Sequence, residues 1–141
     1  MADQHIIQTV QQQLTPFFES LDPVIAVYLY GSILEQNTFH DVDLAVLCEK
    51  SFLETEHYFH TVLRWGTLAE SHLQPRFDVD LRLLNEAPVT FQHEVISKGH
   101  IVYERDHDAR VMFEARVLSE YMDTEPLRKF FERSILSEGA S

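Results

Sequence analysis

The chain has 141 residues, enough for one domain with a substantial core, and its 45% hydrophobic content is ordinary for a globular protein. A net charge of -12, spread rather than blocked, argues against a long nucleic-acid partner, since no basic patch is visible; a basic protein partner suits it better. No apolar run reaches membrane-spanning length, the start MADQHIIQTV is not built like a signal peptide, and Cys48 is the one cysteine, which leaves no internal disulfide and points to the cytoplasm.

In chain order, Ile6, Ile7, Val10, Leu14, Phe17 and Phe18 recur at helical spacing and predict a helix over 4–20 that Pro16 kinks or ends. Asp22-Pro23 turns into a strand over 24–30, then 32–38 reads as a helical turn or loop before a second strand over 42–47. Ser51 and Glu54 have capping-box spacing, which predicts a helix to about His72 with Leu53, Phe59, Val62, Leu63, Leu68, Ala69 and Leu73 inward. Residues 76–84 alternate Phe77, Val79, Leu81 and Leu83 against Arg76, Asp78, Asp80 and Arg82, a strand by period.

Pro88 suits the first turn of a short helix ending at Lys98-Gly99, with the glycine at the C′ position, and Ile101-Val102-Tyr103 reads as a short edge strand. From Asp106 or Asp108 a helix carries Val111, Met112, Ala115, Leu118, Tyr121 and Met122 on one stripe; Pro126 interrupts it, Leu127 to Leu136 continues, and SEGAS is expected to fray. The sum is a single α+β domain over 1–141: an N-terminal helix, a sheet core over about 24–104 and C-terminal helices over about 106–136.

The stretch VIAVYLYGSILEQNTFHDVDLAVL, residues 24–47, carries the chemistry. Asp41 and Asp43, two apart on a strand, point to one face and can grip the same divalent ions. The run becomes continuously apolar after Asp43, as in a central strand covered on both faces, and two acids at the mouth of such a strand are costly unless paired or metal-bound. Gly31-Ser32 ends the preceding strand and can offer backbone N–H groups and a hydroxyl to a phosphate. A second Asp-Val-Asp-Leu, at Asp78 to Leu81, supplies a third carboxylate; Asp78 and Asp80 share a face, so parity does not choose, and Asp80 is favoured with Asp78 in reserve. Two Mg²⁺ ions held by so sparse an acid set, together with substrate phosphates, are what in-line nucleotidyl transfer requires.

Other residues have plainer readings. Cys48 and Trp65 read as packing residues. His57 and His60 have i, i+3 spacing but no evident third ligand, and His40 reads as a loop residue beside Asp41. Arg76 and Arg82 either contact a triphosphate or pair with nearby acids.

Taken together, Leu29-Tyr30-Gly31-Ser32 and Asp41-Val42-Asp43-Leu44-Ala45-Val46 resemble the signature of minimal nucleotidyltransferases of the DNA polymerase β superfamily. Asp78 to Leu81 with Leu84 to Pro88, then Val95 to Asp106 and Phe113 to Tyr121, extend the resemblance over roughly 24–122. It implies a palm-like mixed sheet packed with helices, ATP as substrate, and Mg²⁺ held by Asp41, Asp43 and Asp80, with Gly31 and Ser32 on the nucleotide phosphates. It further implies an antitoxin that transfers AMP to a tyrosine of a HEPN-domain RNase toxin, as a hetero-oligomer with it. The loop between Ser32 and Asp41, ILEQNTFH, is shorter than the family usually has and lacks its Gly and Arg, which bears on a phosphate contact. Two alternatives remain from the sequence: an antitoxin that neutralises by binding alone, and a transferase acting on a small molecule of aminoglycoside type.

Overall fold

A computed structural model describes residues 4–35 and 41–139. Helix α1 (Gln4–Glu19) buries Ile7, Val10, Leu14, Phe17 and Phe18 along the predicted stripe. Pro16 lies inside it without ending it, on the exposed face of the helix, one turn after the equally exposed Gln12 whose carbonyl it leaves without its helical partner. Strand β1 (Val24–Tyr30) leads into the short helix α2 (Ser32–Glu35), the first part of the expected turn; 36–40, with His40, lie outside the described residues.

Strand β2 (Asp41–Cys48) is one residue longer at each end than its apolar run suggests and is buried from Leu44 to Cys48. The capping-box helix does not form as expected. Ser51 lies within a 3₁₀ turn, Lys50–Glu54, which closes as the Thr55 amide and hydroxyl both donate to the Phe52 carbonyl. His57 then takes a left-handed φ of 62°, and helix α3 (Tyr58–Glu70) starts only after it. That later start sets a different phase. Val62, Trp65, Gly66 and Ala69 face inward, whereas Phe59, Leu63 and Leu68, expected inside, are exposed.

Strand β3 (Asp78–Leu83), helix α4 (Val89–Lys98), strand β4 (His100–Glu104), and helices α5 (His107–Asp123) and α6 (Glu125–Gly139) complete the chain. Gly99 follows α4 with extended backbone and not the left-handed C′ geometry; a Cβ there would meet the Val95 carbonyl oxygen at 2.4 Å, so the position needs a glycine for space. Asp106 caps α5, accepting from the Ala109 amide at 3.1 Å. The stripe of Val111, Met112, Leu118 and Met122 faces away from the body, because Phe113 and Val117 are the residues that seat α5 on the sheet. Pro126 falls in the first turn of α6, and Ser137 to Gly139, expected to fray, are still helical.

The four strands are ordered β3-β2-β1-β4. Strand β1 is antiparallel to β2 and β4, while β2 and β3 run parallel, joined by the crossover that contains α3. The sheet is therefore mixed, with β2 central and β4 at an edge as expected. One face packs on α1 and α3 through Val27, Leu29, Val42, Leu44 and Val46. The other packs on α4 and α5 through Ala26, Tyr28, Ala45 and Leu47. Asp41 and Asp43 have the parity of Ala45 and Leu47, so they lie on the α4 side, at the open end of the strand.

Asn85 pins the parallel pair. Its side-chain oxygen accepts from the Cys48 amide at 2.9 Å and its amide donates to the Cys48 carbonyl at 2.8 Å, just past the Leu84 N–H bond to the Val46 carbonyl at 2.8 Å. Replacing Asn85 by Ala strands the buried Cys48 backbone groups and is expected to cost about 2 kcal/mol, read as a lower urea midpoint with unchanged slope.

Candidate active site

Three strand ends meet at the site. Strand β1 pairs Tyr30 with Asp43, and β3 pairs Asp80 with Asp43 and Asp78 with Asp41. In a parallel, in-register pair, opposite residues point to the same face, so Asp43 and Asp80 stand side by side. The turn after Tyr30 then folds over them. Gly31 has φ +85°, and a Cβ on it would lie 2.3 Å from Asp43 Oδ2. Here the glycine is required twice, for its backbone and for its lack of a side chain.

The electrostatics agree with this placement. Asp43 is half-buried, and its carboxyl is held above the usual carboxylate range, first by burial and then by the charges of Asp80 and Asp41, with Arg82 opposing. Asp41 and Asp80 are exposed. The acid that bears on Asp43 from β3 is Asp80; Asp78 sits one step outward, opposite Asp41. Parity left these two equivalent, and the register of the parallel pair separates them.

A small cation and aromatic cluster borders the acids. Arg82 Nε lies 3.5 Å from Asp80 Oδ2, and its guanidinium stands 5.6 Å from the Phe91 ring centre. Phe91 meets Tyr30 edge-on at 5.4 Å. The Tyr30 hydroxyl is pushed up to about 12 by burial, with Asp80 and Asp43 adding to it and Arg82 opposing, so it stays protonated and can donate.

Two hollows flank the acids. One, of about 590 Å³, runs from Tyr30, Gly31 and Ser32 to Phe91, Glu94 and Lys98 on α4. The other, of about 420 Å³, lies on the outer side of Asp80 and Arg82 against Phe59 and Leu63 of α3. Among the described residues no three His, Cys, Asp or Glu side chains converge as a ready-made metal cage. Asp41, Asp43 and Asp80 are instead an all-oxygen set with excess negative charge, which fits a hard cation that completes its shell with substrate oxygens.

The remaining sequence candidates lie elsewhere. Arg76 pairs with Glu70 at 3.8 Å. His57 and His60 sit at the exposed start of α3 with rings 6.0 Å apart, and His72 packs on Phe17. Cys48 is buried and its thiol is pushed up to about 12 by that burial, and Trp65 is core, as read from the sequence. Sequence reasoning missed Tyr30, Phe91 and Lys98 as lining residues, since two of them come from α4 and reach the site only through packing.

A strand, a Gly-Ser turn over a half-buried aspartate, and a third acid on a parallel neighbour form the core of a nucleotidyltransferase fold. The chain belongs to the polymerase beta nucleotidyltransferase family, whose profile matches residues 12–108. No curated protein matches it in sequence. Solved structures with the same fold include a toxin–antitoxin MntA-HepT (18% identity, TM-score 0.66, covering 95% of this chain and 99% of that one). A toxin–antitoxin with AMP-PNP is similar at 19% identity and TM-score 0.69, covering 92% and 97%. So is a tri-AMPylated Shewanella oneidensis HEPN toxin in complex with MNT antitoxin, at 19% identity and TM-score 0.67, covering 90% and 98%.

Two substitutions test this geometry. Gly31→Ala, strained in φ and in collision with Asp43, is expected to lower stability by about 1–3 kcal/mol in denaturant melts and to displace the carboxylate. The second concerns pH. A carboxyl whose folded pKa is raised binds its proton more tightly in the folded state, so stability falls as pH rises from the ordinary carboxylate value through the raised one. Asp43→Asn removes that loss. It is expected to melt at a higher temperature than the wild type at pH 7 without divalent cations, and the gap is expected to close as the pH is brought below the ordinary carboxylate range.

Proposed function

We propose that this protein is a Mg²⁺-dependent nucleotidyltransferase antitoxin of the cytoplasm that transfers AMP from ATP to a tyrosine of a cognate HEPN RNase toxin and so silences it. The observation that carries the reading is Asp43 set between Asp41 and Asp80 directly beneath the Gly31-Ser32 turn. Its family supports nucleotidyl transfer, and similar folds occur in a toxin–antitoxin with AMP-PNP and in an AMPylated HEPN toxin with its MNT antitoxin.

In this reading Asp41 and Asp43, with Asp80, hold the metal; bound there, Mg²⁺ supplies charge stabilisation to the attacking and leaving oxygens. Gly31 and Ser32 approach the phosphates, which the missing Cβ of Gly31 permits. The acceptor hydroxyl oxygen forms a bond to the α-phosphorus as the bond to pyrophosphate breaks. Its proton passes to Asp80, the carboxylate on the open side of the site. The acceptor tyrosine enters from the partner toxin on that same side.

A second reading keeps the partner and drops the chemistry: an antitoxin that acts by occlusion. It is favoured by the short loop ILEQNTFH, which has no Lys or Arg, and by the exposed apolar stripe of Val111, Met112, Leu118 and Met122. One experiment separates the two. The protein is incubated with ATP, Mg²⁺ and its neighbouring gene product, and the intact mass of that partner is read. Transfer predicts a gain in whole AMP units that is absent with Asp41→Asn/Asp43→Asn. An unchanged mass with a stable complex establishes occlusion.

A further inference from the structure

The first 49 residues contain no Lys or Arg, so β1, the Gly-Ser turn and β2 bring no strong cation to a nucleotide that carries several negative charges. Within this chain, any such cation comes from elements that pack against them later in the sequence. Most of the basic side chains with defined partners are committed elsewhere. Arg105 donates to the carbonyls of Glu19, Leu21 and Asp22, and Arg110 is held by Glu104 and Glu114. Arg128 lies on Tyr121, Arg76 pairs with Glu70, and Lys129 with Glu125. Arg82 is on the acid side, between Asp80 and Phe91.

Lys98 is different. Among the described residues it is the only Lys or Arg lining the hollow that opens from Gly31 and Ser32. It stands in the last turn of α4, its side chain 71% exposed, and its ammonium lies 3.8 Å from Glu94 in a loose surface pair of the kind worth little. Phosphate oxygens offer it shorter, charge-assisted bonds than that pair does. A lysine needs no fixed fork geometry to take them, and its four-carbon stem can reach along the hollow.

We propose that Lys98 holds the polyphosphate of the bound nucleotide, exchanging Glu94 for phosphate oxygens across the hollow from Gly31-Ser32. The proposal rests on the nucleotidyltransferase reading and goes beyond it by assigning the cation that the Ser32-to-Asp41 loop lacks. It predicts a preference for a nucleoside triphosphate over a monophosphate, which has no polyphosphate for Lys98 to hold.

Calorimetric titration of the full chain with Mg²⁺ and either a non-hydrolysable ATP analogue or AMP tests it. The wild type is expected to prefer the analogue. Lys98→Ala is expected to weaken the analogue about tenfold and Lys98→Glu further, with Lys98→Arg near wild type and AMP affinity changed less than about twofold throughout. Glu94→Gln, which frees Lys98, is expected to tighten the analogue. Lys98 is exposed, so the variants fold, as circular dichroism will verify. Lys98→Ala and Lys98→Glu binding the analogue as tightly as wild type overturns the assignment, as does an equal loss for both ligands. A wild type that binds neither ligand overturns the nucleotidyltransferase reading itself, a result distinct from either.

Discussion

The site depends on one constraint, the register of the parallel pair β2–β3. A slip of one residue would turn Asp78 and Asp80 to the opposite face of the sheet and leave Asp43 without its neighbour. Parallel pairing is not set by a tight turn, because the two strands are joined by the long crossover through α3. The register must be fixed from within. Asn85 does this at the far end of the pair by closing two hydrogen bonds on the Cys48 backbone, and buried Gln92 holds the same exit by donating to the Leu84 and Asn85 carbonyls. The acids at one end of the strands are therefore aligned by amides at the other.

The α4–α5 side is held by a different device. Tyr28 is buried on β1, and its hydroxyl donates to Glu114 of α5 at 2.7 Å; that carboxylate also receives Arg110, which in turn clamps Glu104 on β4. Burial, and then the hydrogen bond to Glu114, push the Tyr28 hydroxyl well above its ordinary range, so it remains a donor at any working pH. Next to this network, Tyr121 of α5 stacks on His93 of α4 at 3.6 Å and carries Arg128 of α6 on its ring. The same helix α4 presents Phe91 and Lys98 to the site, so the seating of α5 on the sheet decides where these two residues stand.

Much of this was legible in the sequence because it is local. Apolar runs gave β1 and β2 and alternation gave β3, the order of strand, Gly-Ser turn and paired Asp singled out Gly31, Ser32, Asp41 and Asp43, and the repeat of Asp-Val-Asp-Leu flagged a candidate third acid. Periodicity failed where two apolar stripes share a helix. On α3 and α5 it reports that Phe59, Leu63, Met112 and Met122 lie on faces, but not which face the sheet covers; His57 and the pair Phe113 and Val117 decide that through tertiary packing. Asp78 and Asp80 could not be ranked from parity, since only the strand opposite distinguishes them. Phe91 and Lys98 left no signal, because their meeting with Tyr30 is a property of how α4 packs against the end of β1.

The two charges of the site are built to different tolerances, and this follows from where they lie on the chain. The acids are short side chains on paired strands, so backbone register fixes them to the sheet and their mutual repulsion cannot relax by moving apart. Burial first, and that repulsion after it, raise the proton affinity of Asp43, and a cation bound there would oppose both. The positive side is made of long side chains on the periphery, Arg82 on an edge strand and Lys98 on the last turn of α4, each in a pair of 3.5 Å or longer. Weak pairs of that kind cost little to exchange. The site thus sets carboxylates fixed by strand register beside cations held only in loose pairs, so its negative charge is rigid and its positive charge adjustable.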